Sequence, residues 1–109
     1  MKRPKEKESD IQRAILDWLA WNKIFHYRNN SGAMGGVYKG KKWFLRFGAS
    51  GSPDIICVIK GQFLGIEVKA PKGRQGEDQK EFQRKLELAG GKYILAFSLD
   101  DVIRVANNL

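Results

Sequence analysis

Between Ile11 and Leu19 the apolar residues Ile11, Ala14, Ile15, Trp18 and Leu19 recur at the spacing of one helical face. The start of this helix has two readings. Ser9 with Gln12 three residues on forms a capping-box pattern, or the helix begins a turn earlier, among Lys5 to Lys7. The second start brings Glu8 into the helix, on the side of Ile11 and Ile15. Residues 24–28, IFHYR, have β-rich composition. Then comes NNSGAMGGVYKGKKWFLRFGASGS, with six glycines between Asn29 and Ser52. Within it VYKGKKWFLRF predicts a hairpin turning at Lys39-Gly40-Lys41, and the rest reads as mobile loop of a kind that is functional or disordered in compact domains.

The stretch GSPDIICVIKGQFLGIEVKAPKG predicts two strands, 54–59 and 62–69, around a Lys60-Gly61 turn. Phe82 and Leu86, with Ala89 or Leu88, make an apolar stripe on a helix over 75–89, stopped by Gly90-Gly91. KYILAFS is a further strand. LDDVIRVANNL is a short last helix with Asp100 and Asp101 near its positive end. The step from the second hairpin strand through the 75–89 helix to KYILAFS is a crossover, expected to be parallel and right-handed. The fold class is therefore α/β, a mixed β-sheet flanked by helices. No repeat or linker divides the 109 residues, which suit one domain with one core.

Charge adds a partner class. Lys and Arg number 20 against 12 Asp and Glu, a formal net charge of +8. The excess is in residues 1–50, with 11 bases and 4 acids, whereas residues 51–109 carry 9 and 8. A basic half suits a polyanion, most often nucleic acid; a merely soluble basic surface is the plainer alternative. Residues 1–7 read as a basic, mobile tail. The single cysteine, Cys57, lies in an apolar strand and reads as a reduced core thiol. No apolar run reaches the ~20 residues of a membrane span, and the N-terminus lacks a signal-peptide core, so a cytoplasmic protein is expected.

Against this apolar background three charged residues stand out. With a two-residue turn at 60–61, Ile59 pairs with Gln62 and Asp54 falls opposite Glu67; a four-residue loop with the same centre keeps that pairing. Opposed side chains have Cβ atoms ~4.5–5.5 Å apart. Lys69, two residues after Glu67, shares its face. Two facing carboxylates repel unless a cation or a shared proton lies between them. Mg²⁺ with oxygen ligands resolves the repulsion and suits a phosphate substrate, with Lys69 assisting the nucleophile or the developing charge. The simpler reading is a surface Glu67–Lys69 ion pair, with Asp54 merely opening its strand after Pro53.

PD followed by E-V-K at the end of the next strand resembles the PD-(D/E)XK nuclease superfamily. The wider run GSPDIICV, FLGIEVKAPKG, the glutamine helix and AGGKYILAFSLDDV resembles the VRR-NUC (virus-type replication-repair nuclease) family. The likeness spans residues 8–105, is strongest over 51–103 and is weak over 29–50. It implies a restriction-endonuclease-like core of αβββαβ order plus a short C-terminal helix, in one nuclease domain over 1–109. It implies a DNA endonuclease of replication and repair that uses Mg²⁺, with Mn²⁺ able to substitute. Small phage and bacterial members are related to Holliday-junction resolvases, so branched DNA and a homodimer are the implied partners, in a bacterial or phage-infected cell. By the same likeness Asp54 and Glu67 are metal ligands with the Val68 carbonyl, and Lys69 is the catalytic lysine. Glu8 is an acid on the first helix that assists the metal, and Gln79 is the glutamine that orients the active-site face.

Gln79 also sits three residues before Phe82 on the apolar stripe, where a polar group needs a partner; the alternative is a partly exposed helix-start residue. Arg28, Lys39, Lys41, Lys42, Arg46, Lys72 and Arg74 are candidate phosphate contacts, against a plainer reading as solvated loop charge. Tyr38, Trp43 and Phe44 interleave with them and are of the type that stacks on unpaired bases. His26 reads as structural, and Trp18, Trp21 and Phe25 as core or interface. The rival functions are a nuclease fold that binds DNA without cutting, a nuclease that acts on flaps or other structures with a partner, and an ordinary interaction protein.

Overall fold

The structure, a computed structural model, describes residues 7–29 and 32–109. Residues 1–6 of the expected N-terminal tail lie outside the described residues. Three helices and six strands follow in the order α1 (Glu8–Trp21), β1 (Phe25–Arg28), β2 (Gly32–Tyr38), β3 (Lys41–Phe47), β4 (Ile55–Ile59), β5 (Gln62–Val68), α2 (Glu77–Leu88), β6 (Lys92–Ala96) and α3 (Leu99–Asn107). Four strands form a mixed sheet in the order β1-β4-β5-β6. The first two pairings are antiparallel and β5–β6, joined through α2, is parallel.

The period of two along the strands sorts residues onto two faces. Ile55, Cys57 and Ile59, with Leu64, Ile66, Val68 and Ala96, point one way and make the core with Ile11, Ile15 and Leu19 of α1 and Val102 and Ala106 of α3. The other face carries Ile56, Val58, Phe63, Gly65 and Glu67. There α2 covers the β6 side, its Phe82 ring packing 6.0 Å from that of Tyr93. Helices therefore flank a mixed α/β sheet, as the hydrophobic pattern predicts.

Both tight turns are built alike. Lys39 and Gly40 have φ of 50° and 76°, and Lys60 and Gly61 have 52° and 77°. Positive φ at both central residues is the type I′ arrangement, whose twist matches the strands it joins. The β4–β5 register follows: Ile59 pairs with Gln62 and Ile55 with Ile66.

Several expectations change. The glycine-rich stretch from Gly32 is strand, not loop: β2 pairs with β3 along its whole length, from Gly32↔Phe47 to Tyr38↔Lys41. Lys41 accordingly opens β3 rather than belonging to the turn. Bare glycines opposite aromatic residues explain the pairing, because a ring laid over a glycine replaces the packing the glycine lacks. The α1 capping box of Ser9 does not form; Lys7 is the N-cap and Glu8 the first helical residue. The second helix is shorter than 75–89, and Leu88 and Ala89 are exposed, so its stripe reduces to half-buried Phe82 and Leu86 beside Gln79. The strand ends are trimmed too, leaving Asp54 and Lys69 one residue beyond β4 and β5. Trp21 and Phe25 are exposed, whereas Trp18 packs partly against the core. No helix of the described residues is long and apolar enough to cross a membrane.

Cys57 has no exposed surface, and burial pushes its thiol up to about 11. A thiol in that state is a poor nucleophile. The native protein is expected to leave Cys57 unmodified by a thiol reagent at neutral pH while denaturant-unfolded chain reacts at once, which absorbance titration of the reagent reads directly.

Candidate functional site

One step beyond Ile55↔Ile66, the β4–β5 register sets Asp54 opposite Glu67. Val68 N–H donates to Asp54 Oδ2 at 2.8 Å, which locks the aspartate across the end of the two strands. A strand residue's N–H and C=O point to the same side, so the Val68 carbonyl faces Asp54 as well. Glu67 is the one buried charged residue among those described, 6% exposed. The surface ion-pair reading is therefore set aside by burial: Lys69 Nζ lies 3.8 Å from Glu67 Oε1, with the two side chains only 15% and 8% exposed. Gly73, in the turn that follows, leaves room for the lysine stem, since a Cβ there would meet Lys69 Cβ and Cδ at 3.2 and 3.3 Å.

Gln79 is drawn into the same cluster. Its Nε2 donates to Glu67 Oε1 at 3.0 Å while its Oε1 accepts from Gly76 N–H at 2.8 Å. The second bond caps the start of α2, so one side chain ties that helix end to the buried carboxylate. The polar residue on the apolar stripe thus has its partner. Glu8 is in α1 but exposed, and it reaches Glu67 only through its field. Among the described residues no group of three or more His, Cys, Asp and Glu is close enough to hold a metal, so Glu8 is not drawn in beside Asp54 and Glu67.

Three residues that sequence reasoning missed anchor the loop leading into Asp54. Asn29 donates from Nδ2 to Ser52 Oγ (2.8 Å) and the Pro53 carbonyl (3.0 Å), and its N–H donates to the Asp54 carbonyl (2.8 Å). Gly51, at φ 78°, packs its backbone on the start of α2 so closely that a Cβ would strike the Asp78 carbonyl. Tyr93, 4% exposed, points its hydroxyl at the Gly51 carbonyl (3.4 Å). Asn-Asn after a strand and a lone Gly-Ser-Pro are ordinary turn signals. Their role needs a contact across more than twenty residues, which no local pattern carries.

The candidate phosphate contacts divide in space. Lys39, Lys41 and Lys42 are exposed at the tip of the β2–β3 hairpin, and the side chain of Arg46 lies outside the described residues. Lys72 and Arg74 are exposed in the turn just after Lys69. Arg28, at the end of β1, lines a shallow groove with Gln12, Arg13 and Asp17 of α1. His26 turns Nδ1 to the Ile24 carbonyl at 2.7 Å, away from the acids, in keeping with a structural role.

The electrostatics reflect crowding of like charge. Burial first, and Asp54 second, push the Glu67 carboxyl up from 4.5 to about 7, against the opposing pull of Lys69; Glu8 adds a small push the same way. Burial, then the same two acids, also raise the Tyr93 hydroxyl. Asp54 and Glu67, with the Val68 carbonyl on the Asp54 side of its strand, offer hard oxygen donors of the type that suits Mg²⁺ with water and phosphate oxygens filling the remaining positions. A site that prefers its glutamate protonated when metal-free is one a divalent cation would relieve. Oxygen donors beside an ammonium suit a cation and an anionic group held side by side.

No protein-family model, no curated protein and no solved structure matches the chain.

The native Glu67 holds a proton between pH 4.5 and about 7 that the unfolded chain has released. Stability of the metal-free protein is therefore expected to fall as pH rises through that window. Glu67→Gln should flatten the fall. A Mg²⁺ ion held by these acids would require the ionised form, so any stabilisation it gives should be larger above pH 7 than below it. Melting curves in EDTA and in Mg²⁺ across pH test all three signs. Asn29→Ala should lower stability by roughly 1–2 kcal/mol, the net worth of its side-chain bonds. Because Asn29 holds the Asp54 loop, it should also weaken Mg²⁺ binding by calorimetry; an effect on melting alone would deny it that positioning role.

Proposed function

We propose that the protein is a divalent-metal-dependent DNA endonuclease with a restriction-endonuclease-like core of the PD-(D/E)XK type, resembling the VRR-NUC family. The observation that carries this is the convergence of Asp54, Glu67 and Lys69, with Gln79 as their brace, at one end of the sheet. The order of elements supports it: omitting the β2–β3 hairpin, the chain runs α1, then β1, β4 and β5, then α2, β6 and α3. That is αβββαβ plus a C-terminal helix.

In this reading Asp54, Glu67 and the Val68 carbonyl hold the cation. When bound, it supplies Lewis-acid polarisation of a phosphoryl oxygen and a more acidic water. The protein's own groups do the rest. Water oxygen bonds to phosphorus as the bond to the leaving ester oxygen breaks on the opposite side; the attacking water gives a proton up to solvent and the departing oxygen takes one from solvent, leaving a phosphate monoester and a free hydroxyl. Lys69, on the same face as Glu67, stabilises the negative charge that gathers on the phosphate oxygens. Gln79 keeps the Glu67 carboxyl aimed by donating to it. Glu8, exposed at the mouth of α1, contributes field rather than a bond. Lys72 and Arg74 follow Lys69 in the same turn and contact flanking phosphates, as does Arg28 from β1.

A homodimer has a surface to use. On the α2 side of the sheet, the part that α2 leaves uncovered exposes Phe25, Tyr27 and Val58 side by side across β1 and β4, with Phe63 next in register. An apolar patch of neighbouring side chains on a sheet face is the type of surface that a second copy covers. A two-fold dimer would bring two sites to two symmetric positions on branched DNA such as a four-way junction.

Cleavage of labelled four-way junction, flap, duplex and single-stranded DNA in Mg²⁺, Mn²⁺ or EDTA is the test. Cutting is expected in either metal and absent in EDTA. Lys69→Ala, confirmed folded, should cut on the order of 10²–10³-fold more slowly. Paired nicks confined to the junction would fit the resolvase-like dimer. A folded, metal-supplied protein that cuts nothing would leave a DNA-binding module, and one that binds no divalent ion would sink the site reading altogether.

A further inference from the structure

The β2–β3 hairpin pairs with no strand of the four-stranded sheet, and so it stands as a two-stranded unit of its own. Residues 37–46 of it carry four bases and no acid. Register places Tyr38, Lys41 and Trp43 on one face, because Tyr38 pairs with Lys41 and Gly36 with Trp43. The Trp43 indole lies against the bare backbone of Gly36: a Cβ there would come within 2.9 Å of Nε1 and 3.0 Å of Cε2 and Cζ2. Glycine at 36 is what lets the ring take this position. On its other side the ring opens to solvent, and Trp43 is 45% exposed and Tyr38 67%. Together Tyr38, Lys39, Lys41, Lys42 and Trp43 line an open groove of about 650 Å³. Lys39 Nζ stands 5.4 Å from the centroid of the Tyr38 ring, so the tip keeps its cationic groups among its aromatic ones.

Rings alone would suit an apolar partner surface. Three lysines interleaved with two rings, with no carboxylate among them, fit a ligand that is aromatic and anionic in the same short span. That is the chemistry of a nucleotide whose base is not paired or stacked in a duplex. In a duplex both faces of every internal base are already occupied, and only phosphates are left for the lysines.

We infer that the hairpin tip is a binding site for an unpaired nucleotide, with Trp43 as the stacking platform and Lys39, Lys41 and Lys42 as the phosphate contacts. This deepens the nuclease reading and rests on it for its purpose. It names the substrate class as DNA with single-stranded character: a free strand, a flap or the open centre of a junction.

The test is fluorescence anisotropy of labelled oligothymidine, and of the same strand annealed to its complement, in EDTA so that nothing is cut. Trp43→Ala should weaken oligothymidine binding about tenfold or more, the size of one lost base stack, and duplex binding by less than about twofold. Trp43→Phe should recover most of the loss. Abasic residues in the strand should weaken wild type to the level of Trp43→Ala and have little further effect on that variant. Replacing the three lysines with alanine should weaken both forms of DNA and reduce the salt slope by about 1 for each lysine replaced. Equal losses on strand and duplex with Trp43→Ala, no loss on either, or a fall in oligomeric state by sedimentation with affinity unchanged would each overturn the inference. The last would give the surface to a second copy. Failure of the nuclease reading is distinguishable: Trp43-dependent binding with no cleavage would leave this site standing alone, and Lys69-dependent cleavage indifferent to Trp43 would remove it.

Discussion

Two like charges held across one strand pair set the terms for the rest of the molecule. The type I′ turn at Lys60-Gly61 fixes the β4–β5 register, and that register sets Asp54 opposite Glu67. A slip of one residue would turn Glu67 into the core of Ile and Val side chains and expose Ile66 or Val68 instead. The apolar face therefore guards the position of the acids: the hydrophobic free energy of the α1/α3 side resists any relaxation of the carboxylates on the α2 side.

Around this pair the neighbouring elements act as braces. Val68 N–H holds Asp54, Gln79 holds Glu67 to the start of α2, and Asn29, Gly51 and Tyr93 hold the loop that delivers Asp54. The Asn29, Gly51 and Tyr93 contacts join elements distant in the chain, so the loop that carries Asp54 is anchored only when β1, β6 and α2 are in place. The Glu67 carboxyl raised toward neutrality records the same crowding. In the proposed endonuclease, a cation and a phosphate would complete what the protein leaves electrostatically unbalanced.

The hairpin follows a different logic. Its glycines and rings complement one another across β2 and β3, so it holds together without a core. A two-stranded ribbon of this type is only marginally stable alone, and its exposed rings and lysines gain most when a ligand covers them. Stability is concentrated in the four-stranded sheet. The proposed reach toward unpaired DNA is concentrated in the arm.

Much of this is written in local pattern. Period-two alternation and the Lys-Gly turn were enough to set β4, β5 and the Asp54–Glu67–Lys69 face, because adjacent antiparallel strands convert sequence spacing directly into spatial spacing. The helical face of Ile11, Ile15 and Leu19 and the parallel crossover to β6 were legible for similar reasons. Other features depended on packing between distant segments. The glycine-rich run became strand only because KKWFLRF lies opposite it. Leu88 and Ala89 lost their expected burial because the sheet under α2 ends near Tyr93. The clamp by Asn29 and the fit of Gly51 under Asp78 are likewise invisible locally, and of the two helix starts that the sequence left open the structure takes the earlier, with Lys7 as N-cap. Sequence by itself determined which residues share a face, since that follows from backbone periodicity. Tertiary structure decided which faces meet and how deeply Glu67 is buried, since those depend on the volume and position of side chains far away in the chain.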